Sequence, residues 1–155
     1  MSDAEFRMFE LAIDGFACSQ ILIQLALEAQ GKSSPDLVRA MSGLLNGMAC
    51  GKVCGALTGG CCLLGFYAGR GSHEEHADPL FETMLRQLVQ WFEAEYEARY
   101  GSIDCDKIVG DDPRLKMERC PQIVAQTLEK AKEILASNGY DFRQSRERPR
   151  GEHHV

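Results

Sequence analysis

The sequence predicts an all-α protein, a single-domain bundle of five or six helices around a buried central helix rich in glycine and cysteine. No segment alternates polar and apolar residues for long enough to indicate a strand. Several segments instead carry apolar residues at helical spacing and are bounded by helix-capping residues. The stretch 43–69 holds four of the seven cysteines and only one charged side chain, Lys52. With 155 residues, the chain is long enough to form one such domain without a metal or disulfide to complete its core.

The first three helices are predicted at residues 4–13, at 19–30, and from Ser34, which acts as N-cap to a following proline. The apolar residues of the first are Phe6, Met8, Phe9, Leu11 and Ile13. The second has Cys18 beside its N-terminus. Because a helix N-terminus carries a partial positive charge, we expect this position to favour a thiolate at Cys18.

The central helix is predicted over residues 56–68, where the run is apolar throughout. Its small residues favour a helix buried on all sides and entered through a turn at Gly55. Cys54 then stands just before or within the first turn, where the backbone N–H groups and the helix dipole are expected to lower the pKa of its thiol. The alternative is that the cysteines of this run, above all Cys61 and Cys62, are small apolar core residues.

A polar loop is predicted at residues 69–79. We interpret its His73 and His76 as part of a solvated charge cluster rather than a metal site, because their spacing has no matching partner elsewhere. The Asp-Pro pair at 78–79 predicts the start of the longest helix, which ends near Tyr100. The aromatic residues of this helix, Trp91, Phe92, Tyr96 and Tyr100, are expected in the core or in an interface.

The remaining two cysteines follow this helix. Cys105 is predicted in a loop or short turn, and Cys120 at the start of the last helix, just before Pro121 at its first position. The polar tail 143–155 lacks aromatic residues and is predicted to be disordered, which leaves residues 1–142 as the helical domain.

Composition argues against several classes of partner. The formal net charge is −6, and no basic stripe interleaves with aromatic residues, which argues against nucleic acid and anionic membrane surfaces. No apolar segment has the length of a membrane span and the N-terminus lacks the pattern of a signal peptide, so we expect no membrane insertion and a cytoplasmic protein. Seven cysteines cannot all pair within one chain, and in a reducing compartment they indicate metal, cluster or redox chemistry.

Helix bundles bring the ends of their helices together at a rim. Cys18, Cys54 and Cys120 are each predicted at a helix start and Cys105 in a loop, so these four sulfurs could meet at one rim. Four converging thiolates suit either a [2Fe-2S] cluster or a tetrahedral zinc ion. The separations between them contain no C-x-x-C knuckle, which argues against an ordinary zinc module.

Four stretches carry a recognisable pattern: residues 15–20 (GFACSQ), residues 54–59 (CGALTG), Cys105, and residues 119–121 (RCP). In this order they resemble the C-GCAxxG-C-C family of redox-active proteins, over roughly residues 5–137. The resemblance implies redox activity. A related domain in split-Soret type cytochromes is associated with an iron-sulfur centre as well as haem, which implies that four such cysteines can hold a cluster. The chain lacks C-x-x-C-H, so attached c-type haem is not implied.

Three hypotheses follow. The first is electron transfer or redox sensing through a [2Fe-2S] cluster bound by Cys18, Cys54, Cys105 and Cys120, with zinc as the alternative metal. The second is a metal-free thiol-disulfide oxidoreductase in which Cys54 attacks and one of the other three cysteines resolves. The third is a non-redox helical interaction protein. The sequence leaves the redox partner protein unidentified, leaves open the roles of the three additional cysteines, and permits a homodimer.

Overall fold

The computed structural model describes residues 1–146 and confirms the predicted all-α, single-domain class. Five helices of more than ten residues make up the bundle, and three shorter ones join them. The helices are α1 (Asp3–Ile13), α2 (Cys18–Ala29), α3 (Pro35–Met41), α4 (Gly55–Ala68), α5 (Phe81–Phe92), α6 (Ala98–Tyr100), α7 (Cys105–Ile108) and α8 (Pro113–Ser137). None of the helices in this part of the chain has both the length and the apolar character needed to cross a membrane.

Helix α4 is the centre of the bundle, as the sequence predicts, and packs against α2, α5 and α8. Two adjacent glycines permit this close packing. A Cβ atom on Gly59 would lie 2.7 Å from the Cα atom of Ser19 in α2, and one on Gly60 would lie 2.9 Å from Cγ2 of Thr127 in α8. Side chains at these positions would therefore push the neighbouring helices away. Ser19 also links α2 to α3, because its buried hydroxyl donates a hydrogen bond to the carbonyl of Met41.

Helix α1 packs through a different face from the one that its aromatic residues suggest. Met8 and Leu11 are buried, whereas Phe6, Phe9 and Ile13 are 55%, 56% and 69% exposed. These two sets lie on opposite sides of a helix with 3.6 residues per turn. The N-terminus is fixed by Ser2, whose side chain accepts a hydrogen bond from the N–H of Glu5.

The predicted start of the helix at Asp78 is too early, and α5 begins at Phe81. Asp78 instead forms the turn before it, accepting hydrogen bonds from the N–H of Leu80 through its side chain and from that of Phe81 through its carbonyl. A π-helical turn, Glu93–Glu97, joins α5 to α6, and the whole segment ends at Tyr100 as predicted. Among the predicted core aromatics, Phe92 and Tyr96 are fully buried.

The longest helix of the described chain is α8, not α5, and it starts eight residues before Pro121, the predicted first residue. Asp112 caps it, and the first helical residue is Pro113 rather than Pro121. The second proline lies inside the helix. A proline has no N–H, so the carbonyl of Met117 loses its usual helical hydrogen bond. Met117 is 80% exposed, so water can take the place of this donor. Cys120 therefore lies within a helix, and its predicted placement at a helix start is wrong.

The segment after α8 folds back onto α4 and the loop at 69–80. The hydroxyl of Tyr67 donates to the carbonyl of Phe142, and the two rings stack with centroids 5.5 Å apart. Arg146 donates to the carbonyls of Gly69 and His76. Part of the predicted tail, residues 143–146, thus contacts the domain, whereas residues 147–155 lie outside the described part of the chain and their predicted disorder stays a prediction.

Candidate functional site

One cavity of about 30 Å³ brings together the four cysteines that the sequence singles out. Its lining consists of Cys18, Asn46, Cys54, Gly55, Ala56, Cys105, Ile108, Val109, Lys116, Cys120, Ile123 and Val124. The four sulfurs come from four separate segments of the chain, and the rest of the lining is mostly apolar. The cavity is partly open to solvent.

A short antiparallel bridge places Cys54 next to Cys105. Val53 pairs with Asp104. On either side of this pair, the N–H of Cys54 donates to the carbonyl of Ile103 at 2.9 Å, and the N–H of Cys105 donates to the carbonyl of Lys52 at 2.7 Å. Cys54 is the N-cap of α4, as predicted, and Cys105 is the first residue of the four-residue helix α7. The bridge therefore fixes two helix starts, each with a cysteine, side by side.

The other two cysteines reach the cavity from α2 and α8. Cys18 is the first residue of α2, and a Cβ atom on Gly55 would lie only 3.8 Å from the Cβ of Cys18, so the starts of α2 and α4 are adjacent. Cys120 reaches the cavity from within α8, together with Ile123 and Val124, one turn further along the same face.

A left-handed turn precedes α4 and contributes Asn46 to the cavity. Asn46, Met48 and Ala49 all have positive φ angles, of 47°, 61° and 57°. Residues with a Cβ avoid this conformation, so the turn is locally strained. Because the backbone here is not a regular α-helix, Cys50 and Cys54 do not share a helical face, and Cys50 is exposed outside the cavity.

Burial dominates the chemistry of Cys54. The residue is only 8% exposed, and burial raises the pKa of its thiol to about 12, with further raising by thiolates at Cys18 and Cys105. The backbone N–H groups of Ala56 and Leu57 act in the opposite direction, as expected at a helix start, but they do not compensate for the loss of water. The expectation that the helix start lowers the pKa of Cys54 is therefore wrong.

The thiols of Cys18 and Cys120 shift each other's pKa in opposite directions. Hydrogen bonding with Cys120, followed by burial, raises the pKa of Cys18 well above its usual range, so the expectation that the start of α2 favours a thiolate at Cys18 is wrong. The same hydrogen bond lowers the pKa of Cys120. Burial raises the pKa of Cys105, with a smaller contribution from Cys18. Cys120 is therefore the one cavity cysteine whose pKa is lowered.

The remaining cysteines lie away from the cavity. Cys61 is half-buried on α4 and packs against the hydrophobic core, and burial raises the pKa of its thiol to about 11. Cys62 is exposed. These positions suit the interpretation of Cys61 as a small apolar residue at the edge of the core.

Lys116 is a site residue that the sequence analysis missed. It lies one turn before Cys120 on α8 and lines the cavity. Lys52, the charged residue of the central stretch, is exposed and is not part of the lining. The signal for Lys116 was present as its four-residue spacing from Cys120, but it becomes visible only once the Asp-Pro pair at 112–113 is taken as the start of α8.

The arrangement in the described part of the chain is not that of a formed metal site. Within residues 1–146, no group of three or more His, Cys, Asp or Glu side chains is placed so that it could hold a metal ion. The four thiols share one cavity, but no three of them form such a group, so more than one of them must move before all four bind a common centre. The histidines of the loop at 69–80 likewise form no such group.

One protein-family model matches most of the chain. A family model described as "Putative redox-active protein (C_GCAxxG_C_C)" matches residues 16–134, which is more than half of the chain and includes all four cavity cysteines. The chain belongs to this family. Comparisons with curated proteins and with solved structures gave no match. As a member of the C-GCAxxG-C-C family, the chain falls among proteins described as redox-active.

Proposed function

We propose that this C-GCAxxG-C-C protein transfers or senses electrons at a single site built from Cys18, Cys54, Cys105 and Cys120, with a [2Fe-2S] cluster as its cofactor. The observation that carries the proposal is the convergence of these four thiols on one cavity from four separate segments. Four cysteine thiolates are the usual ligands of such a cluster.

Four cysteine sulfurs are a suitable ligand set for a [2Fe-2S] cluster, but the cavity is too small to hold the cluster without opening. Its volume of about 30 Å³ admits only about two water molecules, so the lining must open before a four-atom core can enter. Two features permit this opening: the cavity is already partly open to solvent, and Cys105 lies on a four-residue helix that is only half-buried. A single zinc ion needs less rearrangement and remains the alternative metal.

The surrounding residues favour negative charge on the sulfurs. The N–H groups of Ala56 and Leu57 donate toward Cys54, and Lys116 supplies a positive charge at the cavity wall. When bound, the cluster supplies a one-electron redox centre. Hydrogen bonds to ligand sulfurs and nearby positive charge raise the reduction potential of such a centre, while apolar surroundings of the kind provided by Ile108 and Val124 restrict water.

The second candidate is thiol-disulfide exchange without metal, and the shared cavity of Cys18 and Cys120, whose pKa values shift in opposite directions, favours it. In this reaction the two thiols lose two electrons and two protons and form a disulfide, while a disulfide substrate gains them and becomes two thiols. Cys54 is poorly suited to attack, because it is buried and its pKa is raised to about 12. Cys120 is the better nucleophile on the same grounds.

Anaerobic purification followed by iron, sulfide and zinc analysis and a visible spectrum tests the proposal. We expect iron and sulfide in equal amounts and a visible absorption that bleaches on reduction. Cys120→Ser should abolish both. Cys62→Ser is the matched control, because Cys62 is exposed outside the cavity, and it should leave both unchanged.

Other results identify the alternatives. If the purified protein is colourless and contains one zinc ion per chain, the four cysteines form a zinc site rather than a cluster site. A metal-free protein that loses two titratable thiols on oxidation, with Cys18 joined to Cys120 in the peptide map, establishes the thiol-disulfide reaction instead. A protein with neither metal nor oxidisable thiols contradicts the proposal and its second candidate alike.

A further inference from the structure

Lys116 is the one lysine or arginine among the residues that line the four-cysteine cavity in the described chain, and the lining contains no aspartate or glutamate. Its position follows from the register of α8. Lys116 and Cys120 are four residues apart, so the ammonium group and the thiol extend from the same face of the helix. The side chain is half-buried, which limits the screening of its charge by water.

No competing partner neutralises this charge within residues 1–146. Lys116 takes part in none of the salt bridges there. Arg119, the next cation along α8, is in contrast engaged: its guanidinium donates to the carbonyl of Ile108 and lies 4.5 Å from the ring centroid of Tyr100. Within residues 1–146, Lys116 thus lines the cavity without forming an ion pair elsewhere.

Loading the site makes it more negative. Four neutral thiols carry no charge, whereas four thiolates around a divalent metal ion, or around an oxidised [2Fe-2S] core, carry a net charge of −2. Reduction of the cluster by one electron adds a further negative charge. A fixed cation at the wall favours each of these changes, because it stabilises the more negative state of a poorly solvated site.

We propose that Lys116 is a positioning residue that balances the negative charge of the four-cysteine site and thereby sets its affinity for a thiolate-bound metal centre. This inference rests on the proposed function, since it concerns the same cysteines. Lys116 lines the same cavity as all four of them and lies one turn before Cys120 on α8.

Cobalt(II) binding to the full-length apo protein tests the role directly, because cobalt bound to thiolates gives an intense charge-transfer band. Compared with the unchanged protein, Lys116→Gln should bind cobalt about three- to tenfold more weakly, and the difference should shrink at high salt. Lys116→Arg keeps the charge and should restore binding to within about twofold. Lys107→Gln removes an exposed lysine of α7 that does not line the cavity, and it should bind like the unchanged protein.

Equal cobalt affinity of Lys116→Gln and Lys107→Gln would overturn the inference while leaving the metal site in place. If the unchanged protein binds no cobalt through thiolates, the proposed metal site fails, and a second measurement decides on Lys116. In a background of Cys50→Ser, Cys61→Ser and Cys62→Ser, the cavity thiols are reacted with an anionic aromatic disulfide, 5,5′-dithiobis(2-nitrobenzoate), and with neutral 4,4′-dithiodipyridine.

A cation at the cavity attracts the anionic reagent only. Lys116→Gln should therefore lower the ratio of the anionic to the neutral rate by about threefold or more, and Lys116→Arg should restore it. An unchanged ratio would overturn the role of Lys116 independently of any metal.

Discussion

At the scale of single residues, Cys54 shows how burial competes with the electrostatics of a helix start. The N–H groups of Ala56 and Leu57 stabilise its thiolate, yet the pKa of Cys54 is raised to about 12 because water is excluded. Cys120 has the opposite shift although it lies within a helix, since the thiol of Cys18 can donate a hydrogen bond to its sulfur. The immediate neighbours of a sulfur thus matter more here than its position in a helix.

The raised pKa of Cys54 predicts a loss of stability at alkaline pH in the apo protein. An unfolded cysteine loses its proton near pH 8.5, whereas folded Cys54 keeps it until about pH 12, so between these values the unfolded state binds fewer protons. The contribution of Cys54 is complete below about pH 8.5 and is lost as the pH rises toward 12. The free energy of unfolding should accordingly fall with pH above about 9.

Denaturant unfolding between pH 8 and 11 measures this decline. Cys54→Ala should fall less steeply than the unchanged protein, whatever its stability at pH 8. Cys50→Ala, which alters an exposed thiol outside the cavity, serves as the control for general effects of removing a cysteine. Identical slopes for the unchanged protein and for Cys54→Ala would show that the thiol of Cys54 is accessible to water in solution.

Sequence reasoning identified the cavity cysteines but not the residues between them. The C-G-A-x-x-G motif and the spacing of the other cysteines pointed to Cys18, Cys54, Cys105 and Cys120, and the structure places these four in one cavity. Lys116 has no local motif of its own. Asn46 lies in a left-handed turn that also contains Met48 and Ala49. Methionine and alanine rarely adopt this conformation, so the sequence does not indicate the turn.

At the scale of helices, the packing of α4 depends on two glycines, Gly59 and Gly60. Their role is to let neighbouring helices come close to α4, not to form a turn. Gly59 faces the backbone of Ser19 in α2, and Gly60 faces Thr127 in α8. Because both neighbours belong to helices that supply cavity cysteines, the spacing of α4 from α2 and α8 also sets the distances across the site.

Gly59→Ala should therefore destabilise the apo protein by about 1–3 kcal/mol, through overpacking. Its Cβ would lie 2.7 Å from a backbone atom of α2, which cannot move aside as the end of a flexible side chain can. Thermal or urea unfolding measures the change. Gly43→Ala is the matched control, since a Cβ there meets nothing within 4 Å, and it should be neutral or slightly stabilising. Equal stabilities of the two variants would mean that α2 and α4 are not in close contact.

The boundaries of the helices were predicted unevenly, for an identifiable reason. Pro79 and Pro121 were each predicted as the first residue of a helix or next to it. Instead, α5 begins two residues after Pro79, and α8 begins eight residues before Pro121. A proline limits only its own φ angle and hydrogen bond. Whether a helix starts there depends on capping and packing, as with Asp112, whose side chain accepts from the N–H of Arg114.

At the scale of the whole molecule, the fold gathers sulfurs that lie up to 102 positions apart in the sequence, from Cys18 to Cys120. Helical periodicity predicted the bundle, and with it that the four sulfurs could meet at one rim, but not the bridge between Val53 and Asp104 that fixes two of the four cysteines. Such a bridge is too short to predict from alternation.

The outer surface of the molecule bears on its association with partners. Phe92 and Tyr96, which the sequence suggested for the core or an interface, are fully buried, whereas Phe6, Phe9 and Ile13 form an exposed apolar stripe on α1. A homodimer stays a prediction, and the aromatic residues buried in α5 and the following turn are not available to it.

The central claim is that Cys18, Cys54, Cys105 and Cys120 act as one ligand set, and metal-edge X-ray absorption of the anaerobically purified full-length protein tests it most directly. We predict a first shell of sulfur at about 2.3 Å that is lost in the Cys18→Ser, Cys120→Ser double variant and kept in Cys61→Ser, Cys62→Ser. A shell of nitrogen or oxygen, or a sulfur shell that survives the loss of Cys18 and Cys120, would contradict it.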